Sequence, residues 1–423
     1  MKTNEGNVFD VLVIGAGQAG LSVSYFLKKQ NVRHLVFERG KIGESWRSQR
    51  WDSFALNTPN FMNVLPGDSY KGDRPDGFML RDEFSGYLKS YAERFQLPVK
   101  EGITVTSAIK RPEQNDFEIV VNNDPESGRF ICKQMVIASG LMSAPKTPRI
   151  SQSFPDDILQ LHAASYKNHS QPPAGAVLVV GSGQSGCQIA EDLLSAGRKV
   201  FIATSKVGRI PRRYRGKDIL EWFILTGFWD VLTKEVTDPS ILKSPQPQVS
   251  GIGFLGHTVS LQDLHRQGAN IHGRLEKVTG HEIVFGNNAA DNVRFADEFS
   301  ENFKKKIDTF ILENKMARED AEVDEADLPD PSASCVDPSL SVNLKEKNIT
   351  TVIWTTGFTS DFSWITPSVT NKDGIPVHTN GISPLKGVYF LGFPWLKSRK
   401  SGIVYGMNED AQYIAEKISA FHK

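Results

Sequence analysis

Residues 8–20 read VFDVLVIGAGQAG, and the interpretation of the whole chain turns on them. Val8 to Ile14 is an apolar run of the kind that forms a parallel strand buried on both faces. The run ends in Gly15-Ala16-Gly17-Gln18-Ala19-Gly20, a GxGxxG turn. Gly15 permits the sharp bend, Gly17 lets a pyrophosphate approach the backbone, and Gly20 lets a helix pack closely on the strand. A helical stretch from Leu21 to Gln30 follows, then a second strand from His34 to Phe37. Glu38 ends that strand, where a carboxylate accepts hydrogen bonds from the ribose hydroxyls of an adenosine. A GxGxxG alone is a weak signal; with a strand before it, a helix after it and an acid beyond, it predicts a dinucleotide site.

The same order of events recurs later in the chain. Ala176 to Val180 reads as a strand, and Gly181-Ser182-Gly183-Gln184-Ser185-Gly186 repeats the turn. Cys187 to Ala196 is helical, and Lys199 to Thr204 is a strand. Two such units predict an α/β protein with two Rossmann-type dinucleotide-binding domains, the second inserted into the first. The expected boundaries are 1–168 with 341–423 for the first dinucleotide domain, which the family resemblance given below makes an FAD domain, and 169–340 for an NAD(P)H domain with a helical insert. The step from Gly15 to Glu38, taken from Gly181, ends on Thr204. The second site therefore lacks the ribose-binding acid. It offers Thr204, Ser205 and Lys206, then Arg209, Arg212, Arg213, Arg215 and Lys217. A carboxylate repels a 2′-phosphate, whereas hydroxyls and a cation accommodate it. NADPH is the expected dinucleotide, and NADH use stays compatible because no arginine occupies position 204.

Elsewhere, Arg81 to Phe95 and Lys305 to Asn314 read as helices, and Ile103 to Val121 as paired strands ending in a turn at Asn122–Pro125. Thr351 to Thr355 and Val388 to Leu391 read as buried strands, and Asn408 to His422 as a last helix. Glu319 to Pro331 reads as an acidic, solvated loop near a domain boundary. The chain has 423 residues, 49 of them Lys or Arg and 49 Asp or Glu. That balance offers no argument for nucleic acid or an anionic membrane. Three widely spaced cysteines with no CxxC suit a reducing compartment. No apolar core follows Met1–Asn7, and no window approaches the roughly 20 apolar residues of a membrane span. A cytoplasmic enzyme without a membrane span is expected. Histidines 257, 265 and 272 share no helical face, so no metal site is expected. Trp222, Phe223, Phe228 and Trp229 either line a substrate pocket or pack a lid helix on the core.

With both glycine motifs in place, the chain resembles the flavin-containing monooxygenases, and more closely their bacterial flavoprotein relatives. IGESWR (residues 42–47) resembles the glycine-tryptophan segment that covers the flavin. WDSFALNTP (residues 51–59) resembles the stretch that places an asparagine beside the flavin's reactive edge. VIASG (136–140) and WTTGF (354–358) resemble the links by which the chain passes between cofactor domains. Leu391–Phe393, Ser401-Gly402 and NEDA (408–411) resemble the terminal strand, loop and helix that complete the FAD site. The resemblance implies FAD at Gly15, Gly17, Gln18, Ala19, Gly20, Glu38, Arg39, Ser45, Trp46, Leu56, Thr58, Val105, Ala138, Ser139 and Gly140. It implies NADPH at Gly181 to Gly186, Thr204 to Lys206, Arg209, Thr356 and Gly357, and a catalytic Asn57.

The chemistry it implies is hydride transfer from NADPH to flavin, then a C4a-hydroperoxide formed with O2, which oxygenates a small nucleophilic N-, S- or electron-rich heteroaromatic substrate. A reductase passing electrons to a quinone or protein acceptor is the alternative, and a homodimer stays open. One departure stands out. Of the family's FxGxxxHxxxY only His162 and Tyr166 survive, with Phe154 two residues too far upstream and Ile158 in place of the glycine. Baeyer–Villiger relatives carry tryptophan at the position of Tyr166, which sets that branch behind the other readings.

Overall fold

In a computed structural model that describes residues 7–124, 128–317 and 319–420, the chain builds two large sheets, of eight and five strands, and three small ones. Val8–Ile14 lies in the middle of the first, parallel to His34–Glu38 on one side and to Arg129–Ile137 on the other. Val11, Leu12 and Val13 have no exposed surface, as a strand covered on both faces requires. Thr104–Arg111 and Asp116–Asn122 form an antiparallel extension on the first half of Arg129–Ile137, and Val388–Phe390 pairs with its second half. The turn expected at Asn122–Pro125 runs beyond the described residues at Pro125. The last helix spans Met407–Ala420, and its expected end at His422 also lies outside them.

The second sheet is wholly parallel, in the order Asn270–His272, Val200–Ala203, Ala176–Val180, Ile349–Trp354, Leu159–His162. This corrects the expected boundaries. Ile349–Trp354 and Leu159–His162 fall outside 169–340, yet they complete this sheet. The chain changes sheets after Gly140 and again at Gly357, both at positive φ. Ala144–Pro145 and Phe358–Thr359 pair antiparallel and zip the two crossings together. The His162 ring fastens the same place. Its Nδ1 accepts from Ala164 N at 3.1 Å, so its Nε2 carries the proton and donates to Gly357 O at 2.9 Å. Both ring nitrogens are thereby committed to the fold. Trp51, Phe54, Ala163 and Tyr166 belong to one apolar core with strand residues of both sheets, such as Val11 and Val177.

A 25-residue helix, Ala289–Glu313, lies over the second sheet, much longer than the expected Lys305–Asn314. Asn292, Asp297 and Ser300 point inward among Val293, Ala296, Phe303, Ile307 and Ile311, so polar residues on the buried stripe hide its period. Asp297 is there for Arg209, which it shares with Asp327. The acidic run is therefore more than a solvated loop, since Asp327 is buried in this ion cluster with Lys304 as a third partner. Trp222, Phe223 and Trp229 are buried against Phe303 and Ile307, which favours lid packing over pocket lining for these rings.

Burial holds the imidazoles of His34, His162 and His272 below their ordinary pKa. Below about pH 6.5 the unfolded chain binds protons on these rings that the folded chain refuses, so stability is complete above that value and falls as pH drops through it. His257, raised by its bond to Glu191, contributes stability that is complete below about pH 6.5 and is lost only above it, so it does not change within that window. The expected outcome is a thermal midpoint that falls from about pH 7 to about pH 5.5, with a flatter slope in His272→Gln. A midpoint independent of pH in both proteins removes the burial argument.

Candidate functional site

Both glycine turns are built the same way. A Cβ on Gly20 would lie 1.8 Å from Gly15 O, and one on Gly186 2.1 Å from Gly181 O. Glycine is the residue that lets each helix start this close to its strand. Gly17 and Gly183 each N-cap a 12-residue helix with no side-chain cap and no acidic residue in the first turn. A Cβ on either would meet nothing within 4 Å. Each helix thus presents uncapped N–H donors and a positive dipole end to open space, the chemistry that suits a pyrophosphate.

The first cavity, about 480 Å³, lies at the carboxyl ends of the parallel strands. Gly15, Gly17, Gln18, Ala19, Glu38 and Arg39 line one side. Ser45, Trp46, Val105, Ala138, Ser139 and Gly140 line the rest of the expected wall. Glu38 is buried, with Oε2 accepting from Ala16 N at 2.8 Å and Oε1 from Gly40 N at 3.0 Å. Burial pushes its carboxyl pKa up, and the two N–H donors work against that shift. Trp46 Nε1 donates to Gln18 Oε1 at 3.0 Å, which fixes the indole beside the glycine turn.

Three expected residues are not on this wall, one of them Gly20, which packs against Gly15 O beneath the turn. Leu56 is in the core, with its N–H on Met79 O, and Thr58 donates its hydroxyl proton to Asn63 Oδ1. Both shape the loop rather than the cavity. Sequence reasoning missed Asp361 and Trp364, which line the cavity from a segment without a motif. It also missed Arg50. That guanidinium lies 5.2 Å from the Trp46 and Phe54 ring centroids and donates to Met142 Sδ, with no carboxylate in salt-bridge range among the described residues. Burial pushes its pKa down to about 10. Asp410, in the first turn of the last helix, is buried with Oδ2 unpartnered. Burial raises its carboxyl pKa, against a bond from Ser401.

The second cavity, about 1330 Å³, is lined by Gly181, Gly183, Thr204, Ser205, Lys206, Thr356 and Gly357 among the expected residues. Ser182 is buried, and its Oγ accepts from Ser205 N at 3.0 Å. Gln184 is occupied on both sides, by Val249 N at 2.8 Å and by Ser250 O, and Ser185 is half-buried in the first helical turn. The Thr204 hydroxyl donates to His272 O at 2.7 Å and accepts from Asn292 Nδ2 at 3.0 Å. Lys206 Nζ stands 4.6 Å over the Phe295 ring.

The basic run beyond Lys206 is corrected. Arg209 is 1% exposed and its donors are taken by Asp297 and Asp327, so it is a structural ion pair rather than a phosphate contact. Arg212 is paired with Asp218, and Arg215 with Asp308. Arg213 donates to Gly256 O and Leu255 O. The residues missed on this wall, among them Arg274, Asn288, Arg294 and Phe295, come from the two-residue link between the strands Asn270–His272 and Leu275–Thr279 and from a helix start.

Asn57 sits where the two sheets' segments meet. Its carbonyl accepts from Arg212 Nη1 at 2.8 Å, and its Oδ1 faces Gln188 Nε2 at 3.4 Å. Gln188, in the second glycine-motif helix, donates to Gly251 O at 3.0 Å and keeps a buried, unpartnered Oε1. In the next turn of that helix, Asp192 accepts from Tyr166 and from Ser53, both at 2.6 Å. The surviving tyrosine of the degenerate motif thus ties the helix to the loop that carries Asn57. All three cysteines are buried, and burial pushes each thiol pKa up, that of Cys335 to about 12.

Residues 12–237 match the model of a family described as pyridine nucleotide-disulphide oxidoreductase. The CzcO-like oxidoreductase of Geobacillus kaustophilus is 33% identical over 97% of this chain and 99% of its own length. The indole-3-pyruvate monooxygenase YUCCA6 of Arabidopsis thaliana is 24% identical over 72% of this chain and 78% of its own. Among solved structures, a flavin-containing monooxygenase from Stenotrophomonas maltophilia shares the fold, with a TM-score of 0.65 and 18% identity over 99% of this chain and 100% of that one. The chain belongs to the pyridine nucleotide-disulphide oxidoreductase family and is an enzyme. No helix among the described residues is long and apolar enough to cross a membrane.

Arg209→Ala tests the corrected role. Leaving Asp297 and Asp327 buried without their cation should cost about 3–5 kcal/mol, read by denaturant unfolding. The preference between NADPH and NADH in the protein that still folds should not move. A stable variant with altered preference restores Arg209 to the dinucleotide site.

Proposed function

We propose that the protein is an FAD-dependent monooxygenase that takes electrons from NADPH in preference to NADH and oxygenates a small nucleophilic substrate. The first sheet and its C-terminal segments form the FAD domain in this reading, and the second sheet forms the NADPH domain. The observation that carries it is the asymmetry between two otherwise matched cradles. Glu38 stands at the first, suited to ribose hydroxyls, while Thr204, Ser205 and Lys206 stand in its place at the second. When bound, the flavin accepts hydride from the nicotinamide and supplies the reduced ring that reacts with O2.

The chain's own part is binding, orientation and exclusion of water. Gly17 and Gly183 leave room for the two pyrophosphates, and Trp46 is the candidate cover for the first cofactor. Asn57 carries an amide able both to donate and to accept, held by Arg212 through its backbone and only loosely by Gln188 through its side chain. Such a group can hold a polar oxygen or a nicotinamide carboxamide at the junction of the two domains. The apolar core that holds Trp51, Phe54, Leu56 and Tyr166 lies next to it in the chain, and such surface limits water and thus the loss of electrons as hydrogen peroxide. Disulfide reduction, which the family's name invites, has little support here, because the three thiols are buried and unpaired. The name of the plant relative, an indole-3-pyruvate monooxygenase, supports an electron-rich heteroaromatic within the substrate class.

Purified protein is expected to be yellow, with one FAD per chain by absorbance after denaturation. Colourless protein indifferent to added FAD overturns the reading.

Asn57→Leu separates oxygenation from flavin reduction. The variant should retain FAD and reduce it with NADPH, while losing a hydrogen bond worth about 1–3 kcal/mol. At about 1.4 kcal/mol per factor of ten, the competing release of hydrogen peroxide should rise roughly 5- to 150-fold relative to product formation. NADPH oxidation, product and peroxide measured together decide it. Coupling equal to that of the parent excludes Asn57 from the mechanism.

A further inference from the structure

We propose that Arg274 is the residue that reads the 2′-phosphate of NADPH in the second cavity, an inference that rests on the NADPH reading above. The argument begins with register. Val200–Ala203 and Asn270–His272 run parallel, with Phe201 beside Asn270, Ile202 beside Ile271 and Ala203 beside His272. Carried two residues further, that register sets Arg274 level with Ser205. The adenosine end of a Rossmann site is read where the second strand ends, and the neighbouring strand ends there too.

The two strand ends are bound together at this point. Both the amide and the hydroxyl of Thr204 donate to His272 O. The Arg274 backbone is clamped on both sides, its N–H on Asn288 Oδ1 at 2.9 Å and its carbonyl taking Gly286 N–H at 2.8 Å. A Cβ on Gly273 would lie 1.8 Å from Gly286 O, so the chain before Arg274 has no room to shift. The base of the side chain is therefore rigid.

The head of the side chain is free. Arg274 is exposed on the same cavity wall as Ser205 and Lys206, and its guanidinium has no carboxylate in salt-bridge range among the described residues. The other arginine on that wall, Arg294, is paired with Asp291. Glu276 and Glu298 also line the cavity, so the wall is mixed in charge and the two unpaired cations, Arg274 and Lys206, are what distinguish a phosphate from a hydroxyl. A guanidinium binds a phosphate through two parallel N–H donors, where an ammonium acts as a point charge. Thr204, the residue that replaces the ribose acid, has its hydroxyl proton committed to His272 O, which moves phosphate recognition from the second strand to its neighbour.

The test uses the FAD-loaded protein and two probes without a nicotinamide, adenosine 2′,5′-bisphosphate and 5′-AMP, titrated by calorimetry. The parent should bind the bisphosphate more tightly than 5′-AMP. Arg274→Ala should weaken the bisphosphate by roughly 10- to 100-fold and leave 5′-AMP within about twofold. Arg274→Lys should fall between the two, because it keeps the charge and loses the fork. If the parent discriminates and both variants discriminate as well as it does, Arg274 is overturned and the NADPH reading survives. If the parent shows no preference between the probes, the NADPH reading fails and the inference fails with it.

Discussion

The carbonyl oxygen of Gly15 occupies the space a side chain on Gly20 would need, and the same conflict exists between Gly181 and Gly186. This contact between strand end and helix start sets the geometry of both cradles. It puts the uncapped N-terminus of each helix at the carboxyl edge of its sheet, with Gly17 or Gly183 as the open floor. A methyl group at Gly20 or Gly186 would push the helix away, carry the N–H donors with it and open the core beneath. The remaining parts of each site are arranged around that fixed edge. Glu38, for example, is buried at the first cradle because its two oxygens hold the turn through Ala16 N and Gly40 N.

Buried charge does the second part of the positioning. Arg209, Asp297, Asp327 and Lys304 join the segment after the Val200–Ala203 strand, the long helix and the acidic run into one cluster. Such a cluster adds little net stability compared with apolar packing, but removal of one member is costly, so it specifies how the lid sits. Arg212 extends this logic to the chemistry. Paired with Asp218, it still has a donor for the carbonyl of Asn57, and so links the second domain's basic segment to the residue at the junction.

The junction is held at several independent places. The ribbon between Ala144–Pro145 and Phe358–Thr359 and the His162 bond to Gly357 fasten the two crossings between the sheets, and the Tyr166–Asp192–Ser53 bridge ties the second glycine-motif helix to the loop that carries Asn57. The shared apolar core lies between them. A junction tied this way keeps two cavities in a constant relation, which a hydride transfer between bound cofactors requires.

The sequence by itself determined the two βαβ units, because glycine spacing and buried-strand composition are local properties that need no partner to be read. It also determined the asymmetry of Glu38 against Thr204, since both lie at a fixed step from a glycine. The residues of the first cavity beyond the glycine turn, from Ser45 to Gly140, were legible only through the resemblance to a known family. Only the tertiary structure decided which basic residues line the second cavity. Arg209 and Arg215 look like Lys206 in a linear reading, but their carboxylates arrive from distant segments, at Asp297 and Asp327 for Arg209 and at Asp308 for Arg215, while Arg212 folds back on the nearby Asp218. It also decided the domain edges, because Leu159–His162 and Ile349–Trp354 pair across nearly two hundred residues of chain. Arg274 was invisible beforehand for a related reason: it follows a three-residue strand with no period to detect, and its place comes from the neighbour that strand pairs with. Local geometry is written in short spacings of sequence, whereas the partner of a charge and the neighbour of a strand are set by packing.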